Sequence, residues 1–276
     1  MSGQYKVAWL CEALLVSRSG NYAWLCRPQQ PGRRATENAR LQVQIRAAFA
    51  ESRNTYRSLR LAQALGCPGR RNRIARLMHR AGLWARQRSK YRVATTDSRH
   101  DGPIAPNRLL EVKAKRPDQV WVTDATFVLT AQGWLYLVAV LDVYTRRVLG
   151  WSMHAHLDAT QMITALQMAI RRRRPRPGLI VHSDRGAQYA SSAYRAVLTR
   201  HGLLASMSRK GNCYDNAFIE SFWSSLKYET VYHRKFATRA EASTALFEYI
   251  ESFYNRTRLH SSLGYMSPIT FESKLN

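Results

Sequence analysis

Three acidic residues in the second half of the chain stand where metal-assisted phosphoryl chemistry would need them. Asp124 interrupts the apolar run QVWVTDATFVL at 119–129. Asp184 ends the short apolar stretch LIVHSD, and Arg185 and Gly186 follow at once. Thirty-five residues separate Asp184 from Glu220, which lies in NCYDNAFIESFWSSLKYE at 212–229. Rotating by about 100° per residue, Asn216, Glu220, Ser224 and Lys227 share one stripe of a helix, with Phe218 and Phe222 opposite. Carboxylates on two strands and a helix can converge on hard divalent cations, and Mg²⁺ suits an all-oxygen donor set. Phosphodiester cleavage builds charge on an attacking and a leaving oxygen. Two cations about 4 Å apart stabilise both, and no protein nucleophile is then needed. Each acid alone has an ordinary reading: Asp124 caps a turn, Asp184 opens a loop, Glu220 decorates a solvated helix face. Their joint placement is what points to a metal site. Asp142, in VLDVY, reads as a structural hydrogen-bonding group. His182 shares a strand face with Asp184; it either packs or orients the site, and it is not assigned as a ligand.

The elements around these residues predict a mixed sheet. Residues 119–129, 134–145 and 146–156 are rich in β-branched and aromatic residues, as strands are, and Gln132-Gly133 marks the first turn between them. A helix follows over 158–174, with Asp158 as N-cap and an arginine-rich end that suits the helix dipole. Pro175, Pro177 and Gly178 stop it. LIVHSD is a strand, SSAYRAVLTRHG a helix, LLASMS a strand and RKGNCYDN a loop, from which the Glu220 helix starts with Asp215 or Asn216 as its cap. Three meander strands followed by alternating units give an α/β fold, a mixed sheet with flanking helices. The order resembles that of ribonuclease H-like nucleotidyl transferases. In the last helical stretch, EASTALFEYIESFYNRTRLH, Leu246, Tyr249, Ile250 and Phe253 fall at core spacing. Asn255, Arg256, Arg258 and His260 form a polar cluster suited either to packing or to DNA contact.

Charge narrows the partners. The 276 residues carry 43 Lys and Arg against 18 Asp and Glu, a net of +25. A polyanion is the favoured partner, most simply nucleic acid. No run of 18 apolar residues indicates a membrane span, and the N-terminus lacks the layout of a signal peptide. Cys11, Cys26, Cys67 and Cys213 fit neither a metal-binding spacing nor a disulfide framework, so reduced thiols in a cytoplasmic protein are expected.

The excess is concentrated in front: residues 1–116 carry a net of +18 and residues 117–276 a net of +7. Residues 1–40 read as a helical segment, with a break at Ser17–Gly20. Residues 41–90 read as three short helices, at 41–50, 56–65 and 71–85, in a helix-turn-helix-like DNA-binding region. Ile74, Leu77, Met78 and Ala81 face inward on the last, while Arg71, Arg73, Arg76 and Arg80 surround them. A basic hairpin packed on the next domain is the alternative. Residues 91–116 lose periodicity and read as a basic linker lying against phosphates, and 117–276 form the core.

At the quoted acids the chain resembles a known family. QVWVTDATFV, GWLYLVAVLDVYTRRVLGW, GLIVHSDRGAQY, SMSRKGNCYDNAFIESFWSSLK and FEYIESFYNRTRLHSSLGYMSP match, in order over 117–268, insertion-sequence transposases of the second-reading-frame (OrfB) type. The catalytic part of that family is similar to retroviral integrases. ESRNTYRSLRLAQAL and RIARLMHRAGL resemble its upstream helical region. The resemblance implies a ribonuclease H-like core with a DDE triad at Asp124, Asp184 and Glu220, binding two Mg²⁺ or Mn²⁺ ions. It implies hydrolysis of one strand at the element's end and attack of the freed 3′ hydroxyl on a second phosphodiester. Lys227 matches a basic residue expected to meet end DNA, and Arg209 and Lys210, in the loop before the helix, are further DNA-contact candidates. A homo-oligomer on DNA, a bacterial cytoplasm with nucleoid association, and an upstream-frame partner or fusion are also implied. Arg57 departs from the pattern, which commonly has glycine after the Thr55-Tyr56 pair, so an altered turn is expected there. A DNA-binding regulator without catalysis, and a ribonuclease H-like nuclease that cuts without joining, are the alternative readings.

Overall fold

A computed structural model describes residues 5–26, 32–86, 103–110, 112–209 and 216–275. The chain forms two compact units, Met1–Arg86 and Gln87–Asn276. Among the described residues, no helix is long and apolar enough to cross a membrane, and Cys11, Cys26 and Cys67 are free thiols. Cys213, Asp215 and Lys210 lie outside the described residues.

The first unit is helical: α1 Val7–Ala13, α2 Arg18–Cys26, α3 Arg33–Glu51, α4 Ser58–Ala64 and α5 Arg71–Arg80. The break between α1 and α2 falls earlier than expected. The Ser17 hydroxyl accepts the Gly20 N–H at 3.0 Å, which starts α2 at Arg18 instead of ending a turn at Gly20. Helix α3 begins eight residues before Leu41, in RRATENAR, where Arg33 and Glu37 pair one turn apart. Leu41, Ile45 and Phe49 of α3 meet the buried faces of α4 (Leu61, Ala62) and α5 (Ile74, Leu77, Met78). Arg57 caps α4 with φ −83° and ψ 171°, extended backbone open to any residue, so no glycine is required.

The second unit is built on a five-stranded sheet in the order β3-β2-β1-β4-β5. Its strands are β1 Val120–Thr130, β2 Gly133–Asp142, β3 Val148–His154, β4 Ile180–Ser183 and β5 Leu204–Met207. β1, β2 and β3 form an antiparallel meander, and β4 and β5 run parallel to β1. Side chains alternate across it. Trp121, Val138, Val140 and Leu149 face α6 Ala159–Arg173 and the pair α7 Ala187–Ala190 and α8 Ser192–Arg200. Val120, Val122, Leu137 and Leu141 face α9 Ala217–Leu226 and α10 Arg239–Glu248. This is the ribonuclease H-like α/β arrangement, two helical layers on one mixed sheet. Asp158 starts α6 with a capping box, its side chain accepting the Thr160 N–H at 2.7 Å while Gln161 returns the bond. From residue 103 the stretch expected as linker lies on this unit. Leu109, Val112 and Ala114 pack on the α9 side, and the Arg108 N–H donates to the Ser206 hydroxyl at 2.9 Å.

Two departures from regular helix fix the α9 side. Both α9 and α10 run on into π-helical turns, Lys227–Val231 and Tyr249–Tyr254. Between them lies a buried charge network. Arg258 Nε donates to Glu229 Oε2 at 2.8 Å, its Nη2 donates to the Ser225 hydroxyl at 3.0 Å, and the Tyr249 hydroxyl donates to Glu229 at 2.8 Å. Asn255 pairs with both backbone groups of Val148 at 3.0 Å. Asn255 and Arg258 are therefore interior groups and not a DNA contact; only Arg256 of that polar cluster is exposed.

These contacts set the stability of the core. A Cβ on Gly150 of β3 would sit 2.1 Å from the Ala165 carbonyl oxygen and 2.8 Å from the Ala169 nitrogen of α6. Backbone cannot yield as a side chain does, so Gly150→Ala is expected to cost about 2–3 kcal/mol in urea unfolding. Arg258→Met strands the buried Glu229 and is expected to cost about 3–5 kcal/mol. The exposed neighbour substitution Arg256→Met should change stability by less than about 0.5 kcal/mol.

Candidate active site

Strand register brings the first two carboxylates together. β1 and β4 pair only at Val120–Ile180, Trp121–Val181 and Val122–His182. Two residues beyond the last of these pairs come Asp124, within β1, and Asp184, just past the end of β4, close enough that the charge of one acts on the other. β4 ends at Ser183, and further along the same edge of β1 Thr130 is bridged by Phe236. Asp184 is steadied by the Gly186 N–H, which donates to its Oδ1 at 3.0 Å. Asp124 receives the indole N–H of Trp223 at 3.0 Å on Oδ2.

The electrostatics follow from this packing. Burial first, and the charge of Asp184 second, push the Asp124 carboxyl up to about 7. The bonds from Ala125 and Trp223 oppose the rise, and Glu220 adds the weakest push. Glu220 sits exposed in the first turn of α9, and partial burial raises its carboxyl. It is the outlying member of the three. Among the described residues, no three His, Cys, Asp or Glu side chains already form a metal cage. The donor chemistry nonetheless fits a hard cation. Two facing carboxylate groups whose simultaneous ionisation is disfavoured are relieved by a divalent charge, and Glu220 lies on the helix above them.

Lys227 lies at the α9 end of the same site. Its ammonium stands 5.1 Å from the centroid of the Phe127 ring, three residues along β1 from Asp124. Burial depresses its ammonium pKa, and the Asp124 charge pulls the other way, which places it within electrostatic reach of that carboxylate. Trp223, Phe127 and Tyr189 were not legible as site residues in the sequence. The Tyr189 hydroxyl meets Thr123 Oγ1 at 3.3 Å beneath the two aspartates, whose charges, after burial itself, hold it protonated. Trp223, three residues after Glu220 and so on the same side of a helix, carried the one available signal.

Other expected residues have different places. His182 is fully buried, with its ring nitrogens 2.8 Å and 3.0 Å from the hydroxyls of Ser206 and Ser208; it ties β4 to the β5 strand. Asp142 accepts from Thr145 N at 2.7 Å, Tyr144 N at 3.0 Å and Asp118 N at 2.8 Å, a structural role. Asn216 occupies the N-cap position of α9 without a side-chain capping bond. Arg209 is exposed at the end of β5, and Lys210 lies outside the described residues. On the first unit, Arg71, Arg76 and Arg80 are exposed. Arg73 is turned inward instead, donating to Asn38 at 2.8 Å and pairing with Glu37 at 3.3 Å, which fastens α5 to α3. Arg34, Arg73, Arg76 and Arg80 line a basic cleft of about 200 Å³ there.

The chain is similar in sequence to known proteins. Residues 114–213 and 201–268 match two models of the integrase core domain. A relative from Shigella sonnei, an "Insertion element IS600 uncharacterized 31 kDa protein", is 45% identical over 96% of this chain and 98% of its own length. The "Transposase InsF for insertion sequence IS3A" of Escherichia coli K12 is 40% identical over 98% of this chain and 95% of its own. The "Transposase for insertion sequence element IS904" of Lactococcus lactis is 39% identical over 88% and 98%. With 39–45% identity to these proteins over 88–98% of its length and an integrase core domain in its second unit, this chain belongs to the insertion-sequence transposases, proteins of DNA transposition and integration.

Proposed function

We propose that Asp124, Asp184 and Glu220 are the DDE triad of this transposase, that they hold two Mg²⁺ or Mn²⁺ ions, and that the chain both cuts and joins DNA strands. The observation that carries the reading is the nearness of Asp124 and Asp184, each two residues beyond the last pair of β1 with β4, which together with burial raises the Asp124 carboxyl to about 7. Two like charges held this close are costly unless a cation lies between them. When bound, the ions would supply Lewis-acid stabilisation of the attacking and leaving oxygens. The protein's own part is placement. The sheet fixes the two aspartates, Trp223 orients Asp124 through its indole N–H, and α9 presents Glu220 and, two turns on, Lys227. Lys227 meets a phosphate of the element's end beside the carboxylates. Fixed reactants of this kind account for much of the barrier lowering without any covalent enzyme intermediate.

The remaining contacts belong to the same proposal. The helices of the first unit bind DNA in the manner of a helix-turn-helix through Arg71, Arg76 and Arg80, with Arg209 and Lys210 adding contacts near the site. Two or more copies act on paired ends, in a bacterial cytoplasm and on its nucleoid, alone or joined to an upstream-frame protein.

Three outcomes separate the readings. In a strand-cleavage assay on cognate end DNA with Mg²⁺, Asp184→Asn and Glu220→Gln should each lower the rate at least about 10³-fold, on the scale of losing a principal charge-stabilising group. DNA binding should be kept. Full activity of Asp184→Asn would remove it from the triad; cutting without joining would make the protein a nuclease, and binding without cutting a regulator. Lys227→Ala should weaken binding of end DNA about tenfold and leave Mn²⁺ affinity unchanged. The metal-free protein provides a pH test. Below about 4 the Asp124 carboxyl is protonated whether the chain is folded or unfolded, and its favourable contribution is complete. As pH rises through about 7 the folded group is forced to ionise and that stability is lost. Asp124→Asn is therefore expected to stabilise the metal-free protein at pH 8 by at least about 1 kcal/mol and to have little effect at pH 4.

A further inference from the structure

The run RRRRPRP at 171–177 ends α6 and, in sequence, needs no role beyond complementing a helix end. The structure divides it. Arg172 pairs with Glu251 at 2.8 Å, and Arg173 is held by Asp118 at 2.9 Å and by Glu272 of α11 Pro268–Ser273. Those two serve the fold. Arg174 and Arg176 are exposed, as is Arg116, and among the described residues none of the three has an ion pair. They line, with Arg173, a cleft of about 420 Å³ walled by Pro117, Pro175 and Pro177. Arg174 ends α6 in the left-handed conformation, φ 46° and ψ 57°, which turns the chain back on itself, and the two prolines that follow restrict it. The guanidinium groups are thus carried on a stiffened turn, and the one carboxylate in the lining, Asp118, already binds Arg173 and the Trp121 indole.

The cleft lies at the N-terminal ends of β1 and β4, beside Gln119 and Leu179. Asp184 lies five residues beyond Leu179, so the two sites are separated by about 16 Å. The cleft is therefore distinct from the carboxylates. We propose that the Arg116–Arg174–Arg176 cleft binds the phosphodiester backbone of DNA at a point away from the phosphate being cut. Arginine forks match phosphate oxygens in pairs, and three such forks around one turn can follow neighbouring phosphates of a backbone. The proposal rests on the family's action on DNA and not on the triad's roles.

The test is the salt dependence of binding. The full-length protein and the variant R116A/R174A/R176A are titrated, metal-free, with a 30-base-pair duplex of unrelated sequence followed by fluorescence anisotropy. The slope of log K against log salt concentration should fall in magnitude by about 2–3, near 0.9 for each phosphate that the variant no longer neutralises. Affinity at about 0.15 M salt should fall at least tenfold, while the melting temperature and the slope of the single control R195A stay at the parent values. An unchanged slope in the triple variant overturns the proposal. So does binding of millimolar inorganic phosphate by the parent and not by the variant with equal duplex affinity in both, which would make the cleft a simple anion site. No metal or cleavage enters the readout, so this proposal and the carboxylate assignment fail independently.

Discussion

Repulsion between Asp124 and Asp184 is the constraint on which the second unit turns. A parallel pairing of three residues aligns β1 with β4, and each chain segment then brings a carboxylate two residues beyond the last pair. The fold works to hold them there. His182 and the serines of β5 lock β4 in place. Tyr189 and Thr123 close the floor, and Trp223 closes the side with one donor. Such a pair is unfavourable in isolation.

The rest of the α9 layer supports the third acid and the lysine beyond it. Ile219, Phe222, Trp223 and Leu226 pin α9 to the sheet and leave Glu220 on the open side. The π turn at Lys227–Val231 changes the helical phase just where the lysine leaves α9, and it carries Glu229 into the interior. There Arg258 and Tyr249 neutralise it. The C-terminal segment, whose polar cluster suited either packing or DNA contact, is the buttress of α9. Its polarity is spent on a buried pair, which is costly to break although it adds little net stability.

Much of this was legible in the sequence because it depends on local pattern. β-branched runs gave the five strands, Asp158 gave the capping box of α6, and an acid inside an apolar run singled out Asp124. What stayed hidden depends on residues far apart in the chain. Arg258 meets Glu229 and Asn255 meets Val148 across turns that no periodicity reveals, so polar residues at a helix end read as surface. Arg73 looked equivalent to Arg71, Arg76 and Arg80 on a basic helix, yet Glu37 and Asn38 on α3 turn it inward. Trp223 is a core residue, yet its indole N–H reaches a carboxylate ninety-nine residues away, which no local pattern reveals. The arginine run at 171–174 read as one feature and divides between ion pairs and an open cleft only when Asp118, Glu251 and Glu272 are in place.

The most direct measurement is electron paramagnetic resonance of the protein titrated with Mn²⁺ in the presence of element-end DNA. The account predicts two spin-coupled ions per active site, about 4 Å apart, and loss of the coupled signal when Asp184 is replaced by Asn. Isolated, uncoupled Mn²⁺ whose signal is the same in the parent and in Asp184→Asn would contradict it.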